Sequence, residues 1–191
     1  MDILKAIPVI TLLLPLFAMT LLAPAPVLAA YETSISAATH EVKAAFIYNF
    51  TKFVLWPSTA FENDYSPFRA CVVDDRMLDE ALESLVQSVT KGRQIQTIRY
   101  RGILGADKCH LLFIGESTDP AQAKKILGAV ASKPVLTIGD SSAFIKQGGI
   151  IRFITSDNRL IFEINPVAAK RNGLEISSKL LGLSKTARDL P

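Results

Sequence analysis

Two cysteines, Cys71 and Cys109, carry the most distinctive chemistry in this sequence. Each lies in or beside a short apolar run typical of a strand, and in an oxidising compartment such a pair is bridged. In a reducing compartment the same residues would be two small buried thiols. Closing the loop between them would remove denatured-state entropy worth about 4 kcal/mol in the chain-entropy model. The sequence therefore predicts a Cys71–Cys109 disulfide if the chain is exported.

The first 30 residues indicate export. They contain Lys5, an apolar stretch over residues 6–22 and a run of small residues at 27–30, which is the order found in secretory signal peptides. We predict a signal peptide over residues 1–30, cleaved after Ala29 or Ala30, and a single mature domain over residues 31–191. The alternative is an uncleaved membrane anchor, which the prolines between positions 8 and 26 disfavour because they interrupt a long helix.

The other reactive side chains form no recognisable catalytic pattern. The histidines, His40 and His110, are far apart in the sequence, which contains no phosphate-binding loop, dinucleotide-binding glycine pattern or nucleophile elbow. The formal net charge is +3, too small and too dispersed to indicate a nucleic-acid partner. We predict a protein that is not an enzyme and that uses no cofactor and no metal ion. An unrecognised hydrolase is the enzymatic alternative.

Asp74, Gly115 and Asp140 each follow or end an apolar, strand-like run. In an open α/β sheet, ligands bind at the carboxyl ends of the strands, so these residues are candidates for a ligand crevice. A small-ligand-binding sensor is therefore one hypothesis for the function. Asp74 and its neighbour Asp75 also have a structural interpretation, because carboxylates at a strand-to-helix junction cap the first N–H groups of the helix.

Hydrophobic periodicity predicts the elements that position these side chains. Helices are expected at residues 40–56 (capped by Thr39 and ended by Pro57), 77–89 (ended by Lys91-Gly92) and 120–132, and strands at 68–74, 94–100, 109–115 and 135–139. This alternation predicts a mainly parallel sheet with helices on both faces.

The last third of the chain has a different pattern. Alternating apolar residues over 150–154 and 160–165 predict a β-hairpin that turns at residues 156–158. Asn165 and Pro166 then start a short helix that ends at Asn172-Gly173, and residues 177–183 form a final apolar turn or two. The predicted fold class is α/β: a single-domain, three-layer sandwich with a mainly parallel sheet, flanking helices and a C-terminal β-hairpin.

Two long motifs make this chain resemble a known family, the YfiR-type periplasmic proteins. They are VKAAFIYNFTKFVLWP at residues 42–57 and GGIIRFITSDNRLIFEINPVAAKRNGLEISSKLLGL at residues 148–183. The segments CVVD and IGDSSAFIKQGG lie between them in the expected order. The resemblance covers nearly all of residues 31–191 and implies a compact α/β sandwich, often dimeric, in the periplasm.

The resemblance also implies a regulatory function through protein partners. Members of this family bind the periplasmic sensor region of an inner-membrane diguanylate cyclase and repress it, which controls cyclic-di-GMP signalling and biofilm formation. An OmpA-like outer-membrane lipoprotein can sequester the repressor. For that lipoprotein the resemblance points to Glu163, Asn165, Lys170 and Arg171. The alternative role of Asn165 is helix capping, and the alternative for Glu163 and Arg171 is a solvated strand edge with no partner contact. Exposed residues of the first helix are the candidates for binding the cyclase.

Overall fold

The computed structural model describes residues 25–87, 93–100, 105–156 and 159–184, with side chains from Ala38 onward. The α-helices in these residues are α1 (Ala25–Phe53), α2 (Arg76–Gln87), α3 (Pro120–Val130), α4 (Pro166–Arg171) and α5 (Ser178–Leu183). The strands are β1 (Val54–Leu55), β2 (Phe68–Val73), β3 (Ile95–Tyr100), β4 (Leu111–Ile114), β5 (Leu136–Gly139), β6 (Ile151–Ser156), β7 (Arg159–Ile164) and β8 (Glu175–Ile176). None of the described helices is long and apolar enough to cross a membrane.

Six strands form the main sheet, in the order β3-β2-β4-β5-β6-β7. Neighbouring strands from β3 to β6 are parallel, and β6 and β7 form an antiparallel hairpin. The short strands β1 and β8 pair separately in an antiparallel ribbon. The predicted α/β class, the mainly parallel sheet and the C-terminal hairpin are confirmed.

Both faces of the sheet are buried, which explains why its central strands are almost continuously apolar. Along β4, Leu111 and Phe113 belong to one hydrophobic core, and Leu112 and Ile114 belong to the other. The first core lies under α1 and α2 and also takes in α4 and α5, and the second lies under α3. The alternation of side chains along a strand thus produces the expected three layers.

The first core contains a cluster of aromatic rings that joins α1 to the hairpin. Phe46 and Phe50 of α1 contact Phe153 of β6 and Phe162 of β7, with ring centroids 5.1–6.1 Å apart. Such edge and stacked ring contacts add to the area that these residues bury. The periodic aromatic residues of α1 are therefore mainly core residues.

The predicted limits of the first helix were wrong at both ends. The helix begins at Ala25 rather than at His40, so Thr39 lies within it and is not its N-cap. Pro26 lies in the first turn, where a proline is tolerated, and no glycine or proline follows before Pro57. The helix ends at Phe53 because Val54 and Leu55 leave it to pair with Ile176 and Glu175 of β8.

Several predicted features lie outside the described residues. They are residues 1–24 of the predicted signal peptide, Val89 and the helix stop at Lys91-Gly92, and the hairpin turn at Asp157-Asn158. The described ends of α2, β6 and β7 are consistent with the predicted elements on either side of these gaps.

Candidate functional site

The disulfide between Cys71 and Cys109 is present, as predicted. Cys71 lies in β2, Cys109 lies two residues before β4, and their Cα atoms are 6.0 Å apart. Both residues are buried in the second core, with relative exposures of 0% and 3%. The bridge therefore joins two adjacent parallel strands beneath α3.

Glu163, one of the candidate partner-binding residues, has a partner within the chain. It lies directly opposite Arg152 on the neighbouring strand of the hairpin, and the Arg152 Nε atom is 2.6 Å from Glu163 Oε1. Both side chains are largely buried, at 15% and 13% exposure. Arg152 also donates from an Nη atom to the carbonyl oxygen of Ser142. Arg152 therefore links Glu163 to the loop that precedes β6.

Asn165 is the N-cap of α4, which is the alternative role that the sequence indicates for it. Its Oδ1 atom accepts a hydrogen bond of 3.0 Å from the backbone N–H of Ala168. Its own backbone N–H donates to the carbonyl oxygen of Ile150, at 2.7 Å. These contacts fix the direction in which α4 leaves the hairpin.

Lys170 and Arg171 lie on the last turn of α4, where their positive charge complements the helix dipole. Both residues are exposed. Arg171 donates a long hydrogen bond of 3.3 Å to the carbonyl oxygen of Gly148. Beside them lies a groove of about 430 Å³ whose lining includes Pro166, Lys170, Leu174, Ile176 and Leu181. This surface combines exposed cationic side chains with apolar ones, the composition of many protein interfaces.

The carboxyl edge of the sheet brings Asp74 and Gly115 together. A Cβ atom built on Gly115 would lie 3.0 Å from the Asp74 carbonyl oxygen, so the two loops are in contact through their backbones. Ser117 and Thr118 donate hydroxyl hydrogen bonds to the backbone and side chain of Asp74, at 2.6 and 3.2 Å. Asp75 caps α2 by accepting from the backbone N–H of Leu78 at 2.9 Å.

Asp74 lines an open crevice of about 630 Å³ at this edge, together with Arg76, Arg99, Tyr100 and Asp119. The crevice lies beyond β2 and β4, where one connection leads outward to β3 and the other leads to β5. Ligands of open α/β sheets bind at such a switch point.

Asp140 does not line this crevice and faces α1 instead. Its Oδ2 atom is 2.8 Å from the Nζ atom of Lys43, and both side chains are nearly buried, at 11% and 12% exposure. Burial raises the pKa of Asp140 above its ordinary value of 3.8, although Lys43 opposes this effect. The other oxygen, Oδ1, is buried and accepts no hydrogen bond from the described residues.

A second side-chain contact joins α1 to the same edge of the sheet. The Nε2 atom of His40 is 3.4 Å from Asp75 Oδ1. His40 and Lys43 are three residues apart and so share one face of α1. They reach across β4, because Asp75 follows β2 and Asp140 follows β5. The sequence analysis did not predict these two contacts. The spacing of His40 and Lys43 indicates only that both side chains lie on the same face of the helix.

His110 is buried and neutral in the fold. Its Nδ1 atom accepts a hydrogen bond of 2.8 Å from the backbone N–H of Arg69, so the proton is on Nε2, which donates to the carbonyl oxygen of Ala60 at 2.9 Å. The ring packs against those of Phe61 and Phe68, with centroids 4.5 and 5.2 Å away. Burial lowers its pKa below the ordinary 6.5. This environment indicates a structural histidine.

Within the described ranges, no group of three or more His, Cys, Asp or Glu residues is placed to hold a metal ion. At the carboxyl edge of the sheet, the contacts of His40 with Asp75 and of Lys43 with Asp140 join α1 to the ends of β2 and β5. These contacts fix the position of α1 on the sheet.

Residues 40–185 match the model of a protein family described as YfiR/HmsC-like. The matched region contains α2–α5, all eight strands and the part of α1 from His40 onward. It agrees with the resemblance inferred from the two sequence motifs. The search of the curated proteins found no match.

Proposed function

Because this chain belongs to the YfiR/HmsC-like family, we propose that it is a periplasmic repressor of an inner-membrane diguanylate cyclase. Family membership implies a YfiR-type regulatory role, and such regulators are generally not enzymes. In this proposal the protein binds the periplasmic sensor region of the cyclase and thereby lowers cyclic-di-GMP synthesis and biofilm formation.

The observation that carries the proposal is the family match over residues 40–185, which contains both surfaces expected to contact partners. The buried Cys71–Cys109 disulfide supports an oxidising compartment such as the periplasm. The proposal includes a signal peptide over residues 1–30, a mature domain over residues 31–191 and a homodimer. N-terminal sequencing of the exported protein tests the cleavage, and light scattering tests the dimer.

The end of α4 is the proposed contact surface for an OmpA-like outer-membrane lipoprotein. Lys170 and Arg171 are exposed there beside an apolar groove, so they are the direct contacts that we propose. Glu163 and Asn165 belong to the same surface, where they hold the hairpin and the start of α4 that present the cationic residues.

The test uses cells that contain the cognate cyclase and lipoprotein. Expression of the wild-type chain should lower cyclic-di-GMP, and affinity purification from membranes should recover the cyclase. Arg171→Glu and Lys170→Glu should weaken capture of the lipoprotein at least tenfold, while Lys124→Glu on the exposed face of α3 should not. Unchanged cyclic-di-GMP with the wild-type chain would reject the proposed function.

A second candidate function is the binding of a small ligand at the crevice beside Asp74. Its support is the volume of about 630 Å³ at the switch point of the sheet. A thermal-shift screen of periplasmic metabolites tests this function. A ligand of this crevice should stabilise the wild-type chain and should lose that effect in Asp74→Ala.

A further inference from the structure

A groove runs along the surface where α1 meets α2. Its volume is about 580 Å³, and its lining includes His40 and Glu41 of α1 and Glu80, Ala81, Ser84 and Leu85 of α2. The α2 residues are spaced at three and four positions, so they form one stripe along the helix. With Met77, which also lines the groove, the stripe extends for about 12 Å at 1.5 Å per residue.

The floor and the walls of this groove differ in character. Ala81 and Leu85 are partly buried apolar residues that pack on the first core, and Ala81 and Ser84 are small enough to admit a neighbouring helix. Glu41 and Glu80 are exposed carboxylates, one on each helix. Glu80 is 3.3 Å from Arg76, but both of these side chains are more than half exposed, so the pair is weak and open to competition.

We propose that this groove binds an amphipathic helix of a partner protein, one whose apolar stripe is bordered by Lys or Arg. An apolar stripe at helical spacing fits a floor of this length, as in other helix-in-groove complexes. Carboxylates on both walls select a cationic helix and disfavour an anionic one. The identity of the partner rests on the proposed function, because we assign this groove to recognition of the cyclase.

A peptide titration tests the binding directly. The probe is a helical peptide with leucines at i, i+3, i+4 and i+7 bordered by lysines, and its matched control carries glutamate in place of each lysine. The lysine peptide should bind the purified full chain at least tenfold more tightly than the glutamate peptide, as measured by fluorescence anisotropy. Equal binding of the two peptides would overturn the proposal.

Variants of the chain locate the binding. Glu41→Lys reverses one wall and Ala81→Trp fills the floor, so each should weaken binding of the lysine peptide at least tenfold. Asp64→Lys and Ala121→Trp make the same kinds of change at exposed positions outside the groove and should have no effect. Glu41 is on the surface, so Glu41→Lys keeps the test valid even if Ala81→Trp fails to fold.

Assays in cells separate this inference from the proposed function. If the wild-type chain represses the cyclase and Glu41→Lys represses equally well, the groove inference fails and the proposed function stands. If the wild-type chain does not repress, the proposed function fails and the peptide titration decides the groove alone. If Glu41→Lys converts a dimer to a monomer, the occupant is a second copy of this chain and the inference is overturned.

Discussion

Lys43 of α1 holds its Nζ atom 2.8 Å from Oδ2 of Asp140, at the carboxyl end of β5. The contact ties the long first helix to the sheet through a pair of charges that are almost removed from water. One carboxylate oxygen of Asp140 accepts no hydrogen bond from the described residues. The pair is therefore sensitive to the loss of either partner.

Lys43→Met should lower the free energy of unfolding by about 3 kcal/mol at pH 7, because it leaves a buried carboxylate without a counter-charge. Burial already raises the pKa of Asp140, and removal of Lys43 raises it further. A carboxyl group with a raised folded-state pKa binds its proton more tightly in the folded state. The decrease in the free energy of unfolding caused by Lys43→Met should therefore become smaller as the pH falls toward about 4. Urea titrations at several pH values would measure this change.

Asp140→Asn provides the control for this prediction. The double variant Lys43→Met/Asp140→Asn should recover most of the lost stability, because it removes the unpaired charge. Lys52→Met, at an exposed position of the same helix, should change stability little. A double variant as unstable as Lys43→Met alone would show that packing of the lysine stem, and not charge, is the main contribution.

His110 should make the fold acid-sensitive. Its pKa is lowered by burial, so the unfolded chain binds a proton at higher pH than the folded chain does. Stability should fall as the pH drops below about 6.5, the unfolded-state value, and should level off below the folded-state pKa. NMR titration of the imidazole would measure the folded-state pKa, and urea denaturation at pH values from about 5 to about 7.5, on both sides of the ordinary histidine pKa of about 6.5, would measure the change in stability.

His110→Phe should flatten that acid dependence. The substitution should also lower the free energy of unfolding by about 2 kcal/mol at pH 7, because the Arg69 N–H and the Ala60 carbonyl lose their hydrogen-bond partner. His40→Gln is the matched control, since the sequence contains only 2 histidines. Loss of the acid dependence in His40→Gln instead would assign it to the contact between His40 and Asp75.

The disulfide should contribute a large share of the stability. Replacement of Cys71 and Cys109 by alanine should lower the free energy of unfolding by about 4 kcal/mol, because the bridge closes a loop with a sequence separation of 38. The single tryptophan, Trp56, donates a hydrogen bond to the His110 carbonyl and provides a fluorescence probe of unfolding. Equal urea midpoints for the bridged and the alanine proteins would contradict this prediction.

Gly149 and Gly128 should respond in opposite ways to alanine. A Cβ atom at Gly149 would overlap the ring of Phe144, which is fully buried, so Gly149→Ala should destabilise the protein by about 2 kcal/mol. Gly128 lies in α3 with nothing within 4 Å of an added Cβ, so Gly128→Ala should stabilise it by about 0.5–1 kcal/mol. Thermal unfolding of the two variants would test both signs.

Much of the fold follows from local patterns. The central strands are predictable because burial on both faces makes them continuously apolar, as in the Leu111–Ile114 strand. The amphipathic stripe of α2 and the alternation in the hairpin are equally direct. The cap at Asn165 was also predictable, because asparagine before proline is a strong helix start.

The candidate site was less predictable because its contacts join residues that are distant in the sequence. Arg152 pairs with Glu163 because the register of the hairpin places the two residues opposite each other. Asn172 was expected only to end a helix, but it is buried and bonds to Ser132 and Val135, which fastens α4 to the turn before β5. Such contacts depend on tertiary packing, for which one sequence gives little signal.

The position of the disulfide also constrains the order of events during biogenesis. Cys71 and Cys109 are sealed beneath α3, where an oxidising enzyme cannot reach their sulfur atoms. The thiols must therefore be oxidised before α3 packs over them. A molecule in which α3 docked first would keep two reduced thiols and would have to unfold again before it could mature.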